Sequence, residues 1–291
     1  MRTGFIGLGA MGSGMASNLA RAGLLTAVYN RTPGTATTLA AELQVRAYDT
    51  IAALAETVDV VISCVSADSD VMDVISQLSD SLQPGSVVID CSTISSETAQ
   101  RAAELLAEHQ IAFLDAPVSG GVEGARLGKL SMMVGGDPSV LEQVQPILAA
   151  ISSRIVHLGA NGAGQACKAV NQIMAAGINQ AVCEALAFAE AQGLDLDKVI
   201  DVVSAGAAGN WFLQHRGHNM AKGLYMPGFK LALHHKDLLI CQAMASKTAV
   251  ACPLTDASLD DYATLIEQGH GDDDISGLFR LKRTHTSRNI I

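Results

Sequence analysis

"GFIGLGAMGSGMA" at residues 4–16 decides how the rest of the chain is read. A short apolar run ends at Gly7, and Gly7, Gly9 and Gly12 follow at G-x-G-x-x-G spacing before residues that suit a helix. A strand that turns sharply into a helix needs glycine at the turn. It needs a second glycine where a diphosphate approaches the backbone, and a third where the helix packs closely on the strand. The spacing alone is a weak signal, and its alternative is a glycine-rich turn with no ligand. Its position, after a strand and at the opening of a helix in the first βαβ unit, makes it a dinucleotide fingerprint. The turn Gly7, Leu8, Gly9, Ala10, Met11 and Gly12 is therefore expected to hold a diphosphate against N–H groups of the helix start.

The next strand ends "VYNRTPG" at residues 28–34. A site for NAD normally carries Asp or Glu there, accepting from the ribose 2′-hydroxyl. Here Asn30, Arg31 and Thr32 stand in that place, and the strand end offers no carboxylate to repel a 2′-phosphate. The fork of donors on Arg31 can pair with a phosphate and lie against adenine, and Thr32 adds a hydroxyl. NADP is the expected cofactor; the alternative is a surface arginine at a loop start.

Further along, "VDVVISCV" (58–65), "SVVIDCS" (86–92), "AFLDAPV" (112–118), "KLSMMVGG" (129–136) and "RIVHLG" (154–159) read as strands separated by helical segments. That alternation predicts a parallel, doubly wound sheet. After Gly164 only helical segments follow, at about 164–192, 195–205, 210–222, 230–247 and 254–268. The expected architecture is an α/β Rossmann-type domain over 1–161, joined by a long helix to an all-α domain over 162–291. The segment "GDDDISGLFRLKRTHTSRNII" (271–291) is expected to be a mobile tail.

Composition narrows the function. Only 16% of residues are charged against 49% apolar, so much surface must be hidden, and a homodimer or homotetramer through the helical half is expected. The formal net charge of −10 disfavours nucleic acid and anionic membrane as partners. The sequence has no signal-peptide layout and no long apolar span, so a cytoplasmic location is expected. Six cysteines without a C-x-x-C pair, and histidines without ligand spacing, give no support for a metal.

One lysine interrupts an apolar helix in "GAGQACKAVNQIMAAG" (162–177). Positions 168, 171 and 172 share a helix face, so the Lys168 ammonium and the amides of Asn171 and Gln172 can converge on a small polar ligand. The alternative is a solvated lysine. "DAPVSGG" (115–121) follows a buried strand, and Ser119 with the N–H groups of Gly120 and Gly121 offers a compact set of anion donors, or simply a turn.

Four motifs in order, "GFIGLGAMGSGMASNLARAG", "DAPVSGG", "GAGQACKAVNQI" and "PGFKLALHHKDL" (227–238), resemble the β-hydroxyacid dehydrogenase family over all but the segment from Gly271. The last two motifs are more similar to its tartronate semialdehyde branch. The resemblance implies that Lys168 is proton donor and acceptor, that Asn171 hydrogen-bonds substrate, and that Ser119, Gly120 and Gly121 hold its carboxylate. It further implies cofactor contacts from Thr93, beside Ser92, and from the loop of Val65 and Ser66, although many relatives have proline in place of Ser66. Phe229 and Lys236 match positions bordering the cofactor, with Lys236 also near substrate. The implied reaction is NADPH-dependent, reversible reduction of a short carboxylate-bearing aldehyde to a hydroxy acid, with tartronate semialdehyde to glycerate first. Succinic semialdehyde, glyoxylate, 3-hydroxyisobutyrate and serine stand as alternative substrates. Imine reductases carry Asp or Tyr at the lysine, phosphogluconate-type enzymes a histidine where this chain has "AVNQ", and noncatalytic reader proteins of this fold replace the lysine.

Overall fold

Runs such as Val60–Ser63 and Val87–Asp90 are buried along their whole length, which only strands covered on both faces allow. In the computed structural model, which describes residues 1–288, they lie in the middle of a nine-stranded sheet. Its strands are β1 (Thr3–Ile6), β2 (Leu25–Tyr29), β3 (Arg46–Ala47), β4 (Val60–Ser63), β5 (Val87–Asp90), β6 (Ala112–Asp115), β7 (Val118–Ser119), β8 (Leu130–Gly135) and β9 (Ser152–Gly159). Helices α1 (Gly12–Arg21), α2 (Pro33–Leu43), α3 (Ile51–Ala55), α4 (Asp68–Ser79), α5 (Ser96–Glu108), α6 (Gly121–Leu127) and α7 (Pro138–Leu148) connect them. Alternate side chains separate into two cores: Val60, Ile62, Val87 and Ile89 join Phe5 and Leu114, while Val61 and Val88 join Ile6, Ile75 and Phe113.

The order β3-β2-β1-β4-β5-β6 is parallel throughout. The parallel, doubly wound sheet expected above holds to that point, and an antiparallel strand follows it. Strand β8 runs antiparallel to β6 and β7, with Asp115 opposite Gly135 and Val118 opposite Met132, and β9 then pairs parallel to β8. A parallel return needs a crossover of roughly a dozen residues or more. Between Ser119 and Leu130 the chain has only the short helix α6, so it folds straight back.

Helix α8 (Ala163–Ala191) leads into a wholly helical region: α9 (Leu196–Ser204), α10 (Trp211–Ala221), α11 (Leu231–Thr248), α12 (Pro253–Glu267), a 3₁₀ turn at Ile275–Leu278 and α13 (Phe279–Arg288). By packing, the chain divides into Met1–Lys168 and the residues from Ala169 onward. The division falls inside α8, later than residue 161. The second unit has its own core, including Leu186, Ile200, Phe212, Leu238, Tyr262 and Phe279. Side chains of Asp195 and Asn210 cap α9 and α10 by accepting backbone N–H bonds.

The mobile tail expected from Gly271 is also corrected. Asp274 is buried and accepts from the N–H groups of Gly228, Phe229 and Ser276 and from Arg216 Nε, while Ile275, Leu278 and Phe279 enter the core. Residues 289–291 of that segment lie outside the described residues. Among the described residues, no helix is long and apolar enough to cross a membrane, and no group of three His, Cys, Asp or Glu could hold a metal.

Candidate active site

The glycine turn follows the logic of its spacing. Gly7 has φ +91°, and a Cβ there would stand 2.2 Å from the Cys64 carbonyl oxygen. One on Gly12 would stand 1.9 Å from the carbonyl oxygen of Gly7. Both positions are closed to any side chain. A Cβ on Gly9, by contrast, would meet nothing within 4 Å. The turn is tight where the backbone packs on itself and open where a ligand would approach, so these residues fit a bound diphosphate. Asn30, counted among the cofactor contacts, braces the turn: its Oδ1 accepts from Leu8 N–H at 2.9 Å and its Nδ2 donates to the Thr32 carbonyl.

Beside the turn lies a cleft of about 310 Å³ lined by Gly7, Gly9, Asn30, Arg31, Thr32, Val65, Ser66, Val74 and Gln77 among others. Of the expected cofactor residues, Gly7, Gly9, Asn30, Arg31 and Thr32 of the first two βα connections line it together with Val65 and Ser66 after β4, whereas Leu8, Ala10, Met11 and Gly12 do not. The strand end itself carries no carboxylate, but Asp70 in the first turn of α4 also lines the cleft and pairs with Arg31, Nη1 to Oδ1 2.8 Å.

At the ends of β4 and β5 sits a network that the sequence did not disclose. The Ser63 and Ser92 hydroxyls each donate to Asp90 Oδ1 at 2.7 Å, and Ser92 Oγ accepts from the Val65 N–H at 2.8 Å. Asp90 thereby fixes the loop that carries Val65 and Ser66. Among the described residues its Oδ2 has no hydrogen-bond partner, and the residue is fully buried. Burial pushes its carboxyl up to about 6 against the two serine hydroxyls, which favour the charged form. Thr93 follows Ser92 and stays half-buried.

The start of α8 is fastened to β6. Asp115 accepts from Gly162 N–H at 2.8 Å and Gln165 N–H at 3.0 Å. Burial still raises the Asp115 carboxyl. The Gln165 side chain donates to the Ser92 carbonyl and accepts from the Ile94 N–H. A Cβ on Gly164 would lie 2.5 Å from the Met133 carbonyl oxygen, so this turn of helix packs directly on the sheet. The "GAGQ" glycines before Lys168 were the available signal for this clamp.

One turn later the clamp delivers Lys168. It is 8% exposed, and its Nζ donates to the Val118 carbonyl at 2.9 Å. The solvated-lysine alternative is thereby excluded. The ammonium borders the loop of Ser119, Gly120 and Gly121, where positive φ at both glycines (+131° and +63°) turns the backbone into α6. Lysine and candidate anion donors thus lie together within the first unit.

In the second unit, Asn171 is half-buried and donates Nδ2 to Gln172 Oε1 at 2.7 Å. The expectation that Gln172 also faces a ligand is corrected. It is buried, and its Nε2 donates to Asp237 Oδ2 at 2.6 Å while its carbonyl lies 3.3 Å from His234 Nε2. Asp237 in turn pairs with Lys236, Nζ to Oδ1 2.8 Å. Gln172 and Asp237 orient Asn171. Phe229 packs beside His234, with ring centroids 5.2 Å apart.

Comparison with known proteins accords with this geometry. Residues 2–159 match the family model of the NAD-binding domain of 6-phosphogluconate dehydrogenase, and 162–282 match that described as NAD-binding of NADP-dependent 3-hydroxyisobutyrate dehydrogenase. The chain is 37% identical to 2-hydroxy-3-oxopropionate reductase of Escherichia coli, covering 96% of each. It is 34% identical to NAD-dependent L-serine dehydrogenase of Pseudomonas aeruginosa, covering 95% of this chain and 96% of that one. The solved structure of Mycobacterium tuberculosis 3-hydroxyisobutyrate dehydrogenase with L-serine superposes with a TM-score of 0.88 at 32% identity, covering 97% and 99% of the two chains. With a nicotinamide-dinucleotide turn, a buried lysine beside a glycine loop and family matches over both halves, the chain belongs to the β-hydroxyacid dehydrogenase family of oxidoreductases.

Proposed function

We propose that this oxidoreductase reduces a short carboxylate-bearing aldehyde to a hydroxy acid with NADPH, reversibly, and that tartronate semialdehyde is its first substrate. The observation that carries the reading is the buried Lys168 ammonium held against the Val118 carbonyl, next to Ser119, Gly120 and Gly121. Bound NADPH supplies the hydride, and in the reverse direction NADP⁺ accepts it.

As the carbonyl carbon gains a C–H bond, its C=O electron pair moves onto oxygen. Lys168 stabilises that developing charge and transfers one Nζ proton to it, leaving a neutral amine that recovers a proton from solvent. In oxidation the neutral amine takes the hydroxyl proton. Ser119 with the N–H groups of Gly120 and Gly121 holds the substrate carboxylate, and Asn171, oriented through Gln172, bonds the substrate three residues along the helix from Lys168. The Asp90–Ser92 network holds the Val65–Ser66 loop in place for the cofactor. Arg31 supports the NADPH preference, and the exposed apolar side chains of Val170, Met174 and Phe188 on α8 support a homodimer or homotetramer.

The test is a substrate panel followed by NADPH absorbance: tartronate semialdehyde, succinic semialdehyde, glyoxylate and, in the oxidative direction, 3-hydroxyisobutyrate and L-serine. A site built for a carboxylate rejects a substrate that leaves its donors unpaired, so propionaldehyde should fall below the best acid by roughly 10³-fold or more in kcat/KM. Comparable turnover of propionaldehyde overturns the carboxylate assignment. A best rate with L-serine and NAD⁺ reassigns both substrate and cofactor.

A further inference from the structure

Arg31 is the residue through which a 2′-phosphate would be recognised, yet its guanidinium already has an anion. Asp70 projects from the first turn of α4 into the same cleft, and its carboxylate lies 2.8 Å from Arg31 Nη1. The arginine side chain is 83% exposed and the aspartate 23%. The carboxylate is therefore seated in the wall of the cleft while the arginine reaches over to it. We propose that Asp70 is a specificity-determining residue that weakens discrimination in favour of the 2′-phosphorylated dinucleotide; the inference rests on Arg31 being the phosphate contact.

Two effects act in the same direction. The phosphate must share Arg31 with Asp70 or displace it, and an exposed ion pair is modest but not negligible. Two anions on neighbouring N–H groups of one guanidinium also lie roughly 5 Å apart, inside the Debye length of about 10 Å at 0.1 M salt, so their repulsion is not screened away. A phosphate of nearly two negative charges facing one carboxylate at that separation loses about tenfold in affinity even in water. A dinucleotide with a free 2′-hydroxyl feels neither effect. Asp70 therefore brings the affinities for the two cofactors closer together than Arg31 alone would set them.

The experiment measures dissociation constants of NADP⁺ and NAD⁺ by calorimetry for the full-length wild type, Asp70→Asn and Asp70→Ser, with 2′,5′-ADP and ADP as probes of the phosphate alone. Asp70→Ser is included because asparagine could keep Arg31 tethered through its amide oxygen. NADP⁺ and 2′,5′-ADP should bind about tenfold more tightly to at least one variant, with NAD⁺ and ADP within twofold of wild type. If neither variant gains affinity for the 2′-phosphorylated ligands, or if NAD⁺ gains equally, the inference is overturned. The cofactor reading is judged separately, by the NADP⁺-to-NAD⁺ ratio of the wild type. The role of Asp70 is judged by the change in that ratio on substitution.

Discussion

Lys168→Met replaces an ammonium with a side chain of similar length and no donor. Two magnitudes follow from its surroundings. At the reacting oxygen, loss of a positioned general acid removes roughly 10²–10⁴-fold from kcat. In the fold, the Val118 carbonyl loses a donor at 2.9 Å, which costs about 1–3 kcal/mol if it stays dry. Against this, the variant no longer buries a charged group that is only 8% exposed. The net change in stability is therefore about 1 kcal/mol or less, a few degrees in Tm, far too little to explain a hundredfold loss of rate. The assay is initial-rate NADPH oxidation at saturating cofactor and substrate, with circular dichroism for folding and calorimetry for dinucleotide binding. Dinucleotide affinity should be kept, since the glycine turn and Arg31 lie on other elements. A folded Lys168→Met enzyme within about tenfold of wild-type kcat would refute the assignment of the lysine as proton donor.

Gln172→Leu removes the acceptor for Asn171 and the amide donor to Asp237; KM for the carboxylate substrate should rise about tenfold with a smaller fall in kcat and an unchanged Kd for dinucleotide, and a normal KM would show that Asn171 needs no brace. Asp90→Asn tests the buried carboxyl through pH. Its folded value of about 6 lies above the ordinary 3.8, so the folded state binds more protons between the two. Wild type should hold its largest stability advantage over the variant near pH 4, and lose up to about 3 kcal/mol of it as pH rises through 6. A Tm difference that stays constant from pH 4 to pH 7.5 would contradict the buried acid.

What the sequence disclosed was local. The conformation of Gly7 and the closeness of Gly12 to Gly7 are properties of six consecutive residues, and their spacing reports them. Val60–Ser63 and Val87–Asp90 announced themselves as buried strands because burial on both faces demands unbroken apolar side chains. Lys168 stood out because an ammonium is costly among Ala, Cys and Val. What stayed hidden depends on which distant element arrives beside a residue. Helical periodicity places 172 on the face of 168, but α11 brings Asp237, 65 positions away, to claim the Gln172 amide. Asp70 meets Arg31 across 39 positions. Nothing local to β6 states that β8 will run against it, because the cause is the shortness of the intervening α6.

The Asp115 clamp bears on how the chain matures as it leaves the ribosome. Every strand of the sheet is complete by Gly159, but the backbone donors that Asp115 requires arrive only with Gly162 and Gln165. A nascent chain that has emerged only as far as β9 lacks both those donors and the turn of helix that packs on the carboxylate. The end of β6 therefore stays open to water until the first turn of α8 emerges to cover it. Folding on the ribosome, where domains tend to fold as units from the N-terminus, would complete the sheet and seat Lys168 almost together. A truncation after residue 159 should behave as an unsealed sheet, and one carrying the chain through Lys168 as a sealed one.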